Sequence, residues 1–388
     1  MRILMMIHRQ EDASPYCFYV HEQAKALRAR GHEVIVISCV PLAPLTARLR
    51  PSSARLDGRT PKKAEPDGVP VYYPRCLSLG NAGERLFGGA FMARAALPIA
   101  RRLHAEKPFD VVHAHMLPRD GHAGLIVARA LGVPFALTVH GTDVLRYFVP
   151  GKKPWRRNAK IAREADALLA VSSMLMERVA PYRPSGFRMV VQNGVDLSLI
   201  PEETKNIPRR VLSVGTLKER KCMDCTLEAF GRVAGGYPDA TLTLVGMGPM
   251  EGQLRRRAEE LGLADRVFLT GGLPHEEVLR RMAESDVFVL PSWGEGYGIV
   301  YIEAMAAGMI AVGAKGEGIE DTIRDGENGF LVPAGDTDAV ERVLRAVFED
   351  RARFSGLRER GRKAARLLTW ERNARSMEQI YEGIRSVS

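Results

Sequence analysis

Short apolar segments alternate with amphipathic helical segments along most of the chain, and this alternation restricts the fold more than any other feature of the sequence. Residues 2–7 and 34–39 have the composition of buried strands, and residues 16–30 between them have helical periodicity that ends at Gly31. A strand–helix–strand unit of this kind joins parallel strands through a right-handed crossover. The chain is therefore predicted to be an α/β protein built on parallel, doubly wound sheets.

A second alternating series begins after a polar connection in the middle of the chain. Asn193 and Gly194 mark a turn, residues 201–208 are polar, and residues 211–214 form the first apolar strand of the new series. A chain of 388 residues is long enough for two domains of ordinary size. Two Rossmann-like domains are predicted, each of which would bind ligands at the carboxyl ends of its strands.

The charge balance indicates acidic partners. The sequence contains 56 Lys and Arg against 46 Asp and Glu, which gives a formal net charge of +10. Basic residues are concentrated in residues 48–63 and 152–160. Such an excess favours binding to nucleotide phosphates, anionic lipid headgroups or nucleic acid, although a solvated basic surface would give the same composition.

The N-terminal residues and the cysteines are typical of a protein from a reducing compartment. Residues 1–7 are apolar but charged residues follow, so they do not resemble a signal peptide, and no segment is long enough to span a bilayer. The five cysteines are scattered and odd in number, which argues against a disulfide framework. Cys222 and Cys225 form a CxxC pair, but one pair alone is weak evidence for a zinc or redox site. A cytoplasmic protein is expected.

The most informative local motif spans residues 291–308, PSWGEGYGIVYIEAMAAG. It follows an apolar strand, passes through a glycine-rich turn and continues as a helix. Gly296 and Gly298 lack side chains, so backbone amides there can approach a ligand closely, and the start of the helix favours a phosphate. Glu295 and Glu303 flank this position, and carboxylates repel phosphate but accept hydrogen bonds from sugar hydroxyls. The alternative is a surface loop that caps an ordinary helix and carries two solvated glutamates.

Two further loops of the second series carry features suited to a diphosphate. Gly215 opens a loop that contains the adjacent cations Arg220 and Lys221, and a diphosphate requires such compensating charge. Gly246 begins a second glycine turn at the end of a strand. Without further context, solvated charges on a loop are the favoured interpretation of Arg220 and Lys221.

Histidines at strand ends and one acidic pair complete the candidate residues. His140, in the sequence His-Gly-Thr-Asp, could orient a ligand or move protons near neutral pH, or it could be a structural residue. His113 and His115 share one face of a strand, but no third metal ligand is evident, so packing or helix capping is expected of them. Asp336 and Asp338 form an Asp-x-Asp sequence that is interpreted as a helix N-cap rather than a metal motif.

The sequence Pro-Ser-x-x-Glu-Gly-Tyr-Gly-x-x-x-x-Glu-Ala-Met-Ala-x-Gly resembles the signature of glycosyltransferase family 4, whose members are retaining enzymes of the GT-B fold. The resemblance implies two Rossmann-like domains that face a central cleft. The last helix of this fold crosses back to the first domain, and the amphipathic segment from Thr369 onward suits that role. The first domain is then expected to comprise residues 1–194 and 369–388, and the second residues 195–368.

The resemblance also implies the parts of an active site. Catalytic roles are implied for His140, Lys221 and Glu295. Donor binding is implied for Gly215, Arg220, Lys221, Gly246, Gly296, Tyr297, Gly298, Ile299 and Glu303. No metal ion and no cofactor are expected, and a nucleotide-diphosphate sugar is the expected donor substrate.

The chain departs from the family pattern at three places. Thr216 stands where an arginine is common, and Arg220 is expected to supply the missing charge. Glu320 aligns with the glutamate of the commoner Gly-Gly-x-Pro-Glu sequence. Residues 8–15 lack the Gly-Gly pair that many members have after the first strand, so the resemblance defines the acceptor side least.

The predicted reaction is the retaining transfer of a sugar from a nucleotide-diphosphate donor to an acceptor hydroxyl, in the synthesis of a cell-envelope polysaccharide or a glycolipid. Lys221, Arg220 and amides near Gly298 would stabilise the departing diphosphate. Glu295 would hold sugar hydroxyls, and Glu303 would hold the ribose. The alternatives are a glycoside hydrolase, which has no use for phosphate-binding surroundings, a GT-B sugar-nucleotide epimerase, and an inactive nucleotide-sugar or lipid-binding module.

The acceptor is the substrate that the sequence constrains least. The basic excess, the long loop predicted at residues 41–68 and the apolar start of the helix predicted at residues 84–105 suggest a lipid-linked acceptor or one at an anionic membrane surface. Nucleic acid is not expected as a partner. Peripheral association with the inner face of the membrane would follow from the lipid hypothesis.

Overall fold

The computed structural model describes residues 1–8, 17–42, 60–78, 80–146, 148, 151, 155–183 and 185–386, with side chains throughout these ranges except at residues 80–86. The chain divides into two compact units. Unit 1 comprises Met1–Gln192 and Trp370–Ser388, and unit 2 comprises Asn193–Thr369.

Unit 1 is built on a nine-stranded sheet. Its strands are β1 (Arg2–His8), β2 (Glu33–Leu42), β3 (Lys63–Ala64), β4 (Val71–Tyr72), β5 (Arg75–Leu77), β6 (Val111–His115), β7 (Phe135–Val139), β8 (Ala167–Ala170) and β9 (Phe187–Val190). The strand order is β3-β4-β2-β1-β6-β7-β8-β9, with β5 paired to β2, and β3–β4 is an antiparallel pair in an otherwise parallel sheet. The order reverses between β1 and β6, because the chain first adds strands on one side of β1 and then on the other.

The helices of unit 1 cover the faces of this sheet, so its central strands are apolar on both faces. They are α1 (Phe18–Ala29), α2 (Gly80–Glu106), α3 (His122–Leu131), α4 (Thr142–Leu145), α5 (Trp155–Glu164), α6 (Ser173–Val179) and, from the C-terminal segment, α13 (Trp370–Arg385). Helix α13 contributes Met377, Ile380, Tyr381 and Ile384 to the same buried core as β1. Its amphipathic pattern is therefore explained by burial in unit 1.

Unit 2 is built on a six-stranded parallel sheet. Its strands are β10 (Arg210–Val214), β11 (Thr241–Val245), β12 (Val267–Leu269), β13 (Val287–Val289), β14 (Ile310–Ala314) and β15 (Phe330–Val332). Its helices are α7 (Met223–Ala234), α8 (Glu251–Glu260), α9 (His275–Glu284), α10 (Ile299–Ala306), α11 (Thr337–Glu349) and α12 (Ser355–Arg366). The strand order β12-β11-β10-β13-β14-β15 reverses between β10 and β13.

The predicted parallel α/β architecture is confirmed, and the elements that the sequence missed have physical reasons. Strand β3 lies within the segment predicted as loop, and β5 and β15 were not predicted, because two or three residues are too few to show alternation. Helix α12 was missed because its buried side is thin, with Leu357, Gly361 and Ala365 among mostly basic residues. Residues 43–59 of the predicted loop, and 152–154 of the second basic cluster, lie outside the described residues.

Helix α2 is the longest helix, at 27 residues, and it contains Pro98. Neither α2 nor any other helix in the described ranges combines the length and the hydropathy needed to cross a membrane.

Candidate active site

The candidate residues of unit 2 collect at one end of its sheet, where the strand order reverses. Gly215 and Lys221 follow β10, and Glu295 follows β13, the neighbouring strand. In doubly wound sheets the carboxyl ends of the two strands at such a reversal leave a crevice that binds ligands.

Lys221 and Glu295 form the central contact of this site. The Lys221 ammonium donates a hydrogen bond to Glu295 Oε2, and Lys221 is only 8% exposed. Arg220 Nη1 lies 3.9 Å from the same carboxylate oxygen and donates to the carbonyl of Gly294 at 3.3 Å. The two cations predicted for a diphosphate are thus brought together with the glutamate predicted to hold a sugar.

A second carboxylate holds the loop that carries Glu295. Glu317 accepts hydrogen bonds from the backbone amides of Gly294 at 2.9 Å and Glu295 at 2.7 Å. Glu317 was not predicted from the sequence, and its only signal was that it stands in residues 316–320, where the chain departs from the family's Gly-Gly pattern. Glu320, which was aligned with the family glutamate, is instead exposed and accepts a hydrogen bond from the amide of Gly316 at 2.8 Å.

The signature turn ends in a left-handed glycine that starts α10. Gly298 has φ +82°, and a Cβ there would lie 2.6 Å from the ring of Tyr301, so this position requires glycine. Among the described residues no side chain caps α10, and its first turn contains no acidic residue, so the amides that begin at Ile299 are suited to an anion. The Tyr301 hydroxyl donates to the carbonyl of Leu290, which ties the helix to the end of β13.

The other residues of the signature are buried within this framework. Tyr297 is 2% exposed and Gly296 is buried. Glu303 is 8% exposed, and its Oε1 lies 2.7 Å from Nε2 of His275, the first residue of α9. Sequence reasoning did not predict His275, which carries no motif of its own. The pair fixes the orientation of the Glu303 carboxylate.

The glycine turn after β11 packs backbone to backbone against the loop after β10. Gly215 N donates to Val245 O, and Gly246 N donates to Gly271 O, each at 2.9 Å. Gly246 has φ +142°, and a Cβ built on it would overlap the carbonyl oxygen of Gly215. The structure therefore brings Gly246 directly against Gly215, as part of the same end of the sheet.

His140 lies apart from these residues, in unit 1, at the end of β7. Its ring stacks on Tyr19 with 4.2 Å between ring centroids, and its Nε2 is 3.1 Å from Nδ1 of His115. The buried carboxylate of Asp143 accepts hydrogen bonds from the amides of His140 at 3.1 Å and Gly141 at 2.7 Å, which fixes the turn that follows the strand.

Burial keeps the histidines of this cluster neutral. It lowers the pKa of His140 to about 3 and that of His113 to about 3, and it lowers the pKa of His115 well below its usual value. A pKa in this range favours the orienting role predicted for His140 over proton transfer near neutral pH, because the neutral ring can still form hydrogen bonds. His113 contacts Tyr381 at 2.7 Å and Thr138 at 2.8 Å, so packing is confirmed and helix capping is not.

Acidification should destabilise unit 1 through the three histidines of this cluster, which burial keeps neutral. His113, His115 and His140 are neutral when folded but take a proton near pH 6.5 when unfolded, so the unfolded state binds more protons below that pH. We expect the free energy of unfolding to fall by roughly 1 kcal/mol for each histidine between pH 7.5 and 5.5. Urea denaturation of a Trp293→Phe variant, whose remaining tryptophans lie in unit 1, measures this loss. Unfolding that does not vary with pH over this range would contradict it.

The remaining candidate ligand groups do not form a metal site. Asp336 caps α11 by accepting a hydrogen bond from the amide of Ala339 at 2.9 Å, as predicted. Cys222 and Cys225 are free thiols. Among the described residues, no cluster of three or more His, Cys, Asp or Glu is arranged to hold a metal ion.

Comparisons with known proteins agree with this geometry. The family model described as "Glycosyltransferase Family 4" matches residues 18–199, and the model described as "Glycosyl transferases group 1" matches residues 199–367. The chain is 28% identical over 381 residues to a glycogen synthase of Mycobacterium tuberculosis, which covers 94% of this chain and 89% of that protein. Together the two models match residues 18–367.

Two further similarities concern function and fold. The chain is 29% identical over 285 residues to the GDP-mannose-dependent alpha-(1-6)-phosphatidylinositol monomannoside mannosyltransferase of Mycolicibacterium smegmatis, covering 65% of this chain and 74% of that protein. The structure of a sucrose-phosphate synthase from Thermosynechococcus elongatus superposes with a TM-score of 0.78 at 21% identity and covers 100% of both chains. The predicted GT-B fold class is confirmed.

Proposed function

The chain belongs to glycosyltransferase family 4, and from this membership we propose that it transfers a sugar from a nucleoside-diphosphate sugar to an acceptor hydroxyl, with retention of anomeric configuration and without a metal ion. The donor would occupy the carboxyl end of the unit 2 sheet. The acceptor would be bound by unit 1.

The contact between Lys221 and Glu295 is the observation that carries the proposal. A diphosphate leaving group develops negative charge as the bond to the sugar breaks, and preorganised donors stabilise that charge. Lys221 has three N–H donors, so it can bind a phosphate oxygen while it still contacts Glu295. Arg220 and the uncapped amides at the start of α10 add further positive potential. These groups would supply the charge compensation for which other enzymes use a metal ion.

Each carboxylate has a proposed role that its surroundings support. Glu295 contacts Lys221, so a sugar hydroxyl bonded to Glu295 would lie beside the diphosphate. Glu303 is held by His275 and would accept hydrogen bonds from the ribose hydroxyls. His140, neutral and stacked on Tyr19, would orient a hydroxyl near the transferred sugar rather than move its proton.

The function is tested by incubating the purified chain with a panel of nucleotide sugars and measuring the released nucleoside diphosphate, with and without acceptors. Because a ligand that binds the native state raises its apparent stability, thermal shifts with the same panel rank the donors. GDP-mannose is the first donor to test, since a relative is named for dependence on GDP-mannose. No release with any donor would contradict the proposal.

The competing functions have less support. The relatives reported above are named as transferring or synthesising enzymes, so the epimerase alternative gains no support from them. Lys221, Glu295 and Glu303 are all present and in contact with partners, which argues against an inactive binding module. Acceptor-dependent release of nucleoside diphosphate would separate a transferase from both.

One face of α2 is suited to an anionic membrane surface that would carry or present the acceptor. A groove of about 730 Å³ on this helix is lined by the apolar residues Ala90, Leu97 and Pro98 and by two exposed cations, Arg94 and Arg101. One relative is named for a phosphatidylinositol glycolipid, whose headgroup is anionic. Lys63, in the basic cluster at residues 48–63, is already paired with Glu65 at 2.7 Å.

Exchanging both arginines of this groove for serine should weaken binding to vesicles that contain phosphatidylinositol. Each basic residue near an anionic surface contributes about 1 kcal/mol, so we expect at least about 10-fold weaker binding of the Arg94→Ser, Arg101→Ser variant in a sedimentation assay. A matched control, Lys363→Ser with Arg366→Ser on α12, removes the same charge from unit 2. Equal loss of binding in both variants would contradict a role for the α2 groove.

A further inference from the structure

The CxxC pair of unit 2 lies beside the proposed donor site, and none of the roles described above uses it. Cys222 follows Lys221 directly, and Cys225 lies in the first turn of α7. The Cys222 thiol donates a hydrogen bond to the Cys225 sulfur. A Cβ built on Gly335 would lie 3.5 Å from the Cys222 sulfur and 3.7 Å from the Cys225 sulfur, so both sulfurs face one turn before α11. Spacing alone is weak evidence for a redox site, but two thiols in contact are the arrangement from which a disulfide forms.

The pair occupies the start of a helix that follows a strand of a parallel sheet. Cys222 is the N-cap residue of α7, and Cys225 belongs to its first turn. A helix start and a Cys-x-x-Cys spacing are each settings in which a cysteine thiolate is stabilised. No side chain in the described part of the chain caps α7, so the positive potential of its first amides acts on the sulfurs.

The two thiols differ in reactivity. The hydrogen bond from Cys222 lowers the pKa of Cys225 against a smaller rise from burial, and the Thr337 hydroxyl, which donates to the same sulfur, adds to the lowering. The hydrogen bond to Cys225, together with burial, raises the pKa of Cys222. Cys222 is 4% exposed, whereas Cys225 is half-buried. Because the thiolate is the nucleophile in thiol–disulfide exchange, Cys225 is expected to react first.

A cavity gives access to the more reactive thiol. Cys225 lines a cavity of about 510 Å³ between α7 and α8. Its walls carry charges of both signs, among them Glu228 and Arg256. A small zwitterionic disulfide carries carboxylate and ammonium groups, which such walls can match by charge-assisted hydrogen bonds. As far as the described residues form the lining, it includes none of the residues assigned to the donor.

Cys222 is also bonded to the loops of the proposed donor site. The amide of Trp293 donates to the Cys222 sulfur and, at 2.9 Å, to the carbonyl of Arg220. Trp293 belongs to the signature turn that carries Glu295, and Lys221 is the residue before Cys222. Cys222 has φ +49°, a left-handed conformation that residues with a Cβ rarely adopt. A disulfide would draw the Cys222 sulfur towards α7, so this strained backbone and the position of the Lys221 ammonium group would change together.

We propose that Cys222 and Cys225 are a redox-modification site, at which a small zwitterionic disulfide oxidises the two thiols to an intramolecular disulfide. This disulfide moves Lys221 and weakens donor binding. The modification concerns the thiols alone, whereas its effect on donor binding rests on the proposed function.

The oxidation is a pair of thiol–disulfide exchanges. The Cys225 thiolate attacks one sulfur of the small disulfide, whose S–S bond breaks and releases one thiolate. The Cys222 sulfur then attacks the Cys225 sulfur of this mixed disulfide and loses its proton, and the second thiolate leaves. The two protein thiols are oxidised to a disulfide, the oxidant is reduced to two thiols, and the protons of the protein thiols end on those products.

Thiol labelling measures the modification without any donor, with glutathione disulfide as the probe. The purified chain is equilibrated with graded ratios of glutathione disulfide to glutathione, and the remaining thiols are trapped with a maleimide and located by mass spectrometry. We expect Cys222 and Cys225 to lose their thiols together and to regain them with dithiothreitol. Cys17, Cys39 and Cys76 should keep theirs because they are buried, and burial raises the pKa of Cys17 to about 12 and that of Cys39 well above its usual value.

Donor titration then compares the oxidised chain with the reduced chain, using the nucleotide sugar that stabilises the reduced chain most. Loss of one charge-assisted hydrogen bond to the diphosphate should raise the donor Kd by about 10-fold or more. Cys225→Ser keeps the size of the side chain but cannot form the disulfide, so its donor Kd should not vary with the glutathione ratio. Cys76→Ser is the matched control, because it removes a thiol outside the pair and should respond to the oxidant as the wild type does.

The outcomes separate this inference from the proposed function. If both thiols of the pair persist at every ratio, or only mixed disulfides with glutathione accumulate, the inference fails while the proposed function stands. If the disulfide forms and the donor Kd is unchanged, the coupling to Lys221 is wrong, and the proposed function again stands. If no nucleotide sugar binds the reduced chain, the proposed function and the coupling fail together, and labelling alone still decides whether the disulfide forms.

Discussion

Replacing Lys221 by alanine is expected to reduce kcat for sugar transfer by about 100-fold to 1,000-fold, the effect of removing one preorganised donor from a developing anion. Lys221 is 8% exposed, so few waters can take the place of its ammonium group. The substitution also leaves the Glu295 carboxylate, 16% exposed at its side chain, without the ammonium group that donates a hydrogen bond to it. Steady-state release of nucleoside diphosphate measures the loss, and donor titration by thermal shift measures the accompanying drop in affinity.

Lys218→Ala is the matched control for this substitution, because Lys218 lies in the same loop but is exposed. It should keep activity within about twofold, as surface charges contribute little. The double variant Lys221→Ala, Glu295→Ala should lose much less than the product of the two single losses, because residues in contact are not independent. Additive losses, or an active Lys221→Ala protein, would contradict a joint role at the leaving group.

The donor side of the fold could be predicted from the sequence because its chemistry is local. Glu295, Gly298 and Glu303 lie within one strand–turn–helix unit, and a turn that needs glycine beside a helix start leaves a continuous pattern. Arg220 and Lys221 could be placed in the same site as Glu295, because the loop that carries the two cations and the loop that carries Glu295 each follow a strand of one parallel sheet. The contact between Lys221 and Glu295 joins the two loops. It depends on which strands are neighbours in the sheet, and the local sequence does not encode that order.

Glu317 and His275, which hold the site residues in place, could not be predicted because their partners are distant in the sequence. Glu317 reaches the amides of Gly294 and Glu295 from a loop after β14, and His275 reaches Glu303 from the start of α9. Each pairing joins segments more than 20 residues apart, and a lone glutamate or histidine carries no spacing signal. For His140 the position at the end of a strand could be predicted, but the protonation state could not. Its ring is neutral because it is buried against Tyr19 and His115, and these contacts are not visible in the sequence.

The expected consequence of Gly246→Ala is loss of donor binding together with a less stable unit 2. Gly246 has φ +142°, a conformation that residues with a Cβ rarely adopt, and the added methyl would overlap the carbonyl oxygen of Gly215. Strain of this kind costs about 1–3 kcal/mol, and the contact with Gly215 can be relieved only if the loop that leads to Lys221 moves. Urea denaturation measures the lost stability, and thermal shift with the best donor measures the lost binding.

Gly252→Ala separates this backbone effect from the addition of a methyl group as such. Gly252 lies inside α8, where a Cβ would meet only Arg256 Nη1 at 3.5 Å. Alanine is favoured over glycine in a helix, so this control should raise the free energy of unfolding by about 0.5–1 kcal/mol and leave donor binding unchanged. If Gly246→Ala instead bound donor with wild-type affinity, the backbone contact between the two loops would not be what places Lys221 against the diphosphate. Donor recognition would then depend on the charge of Lys221 and on the signature turn, and not on the shape of the turn after β11.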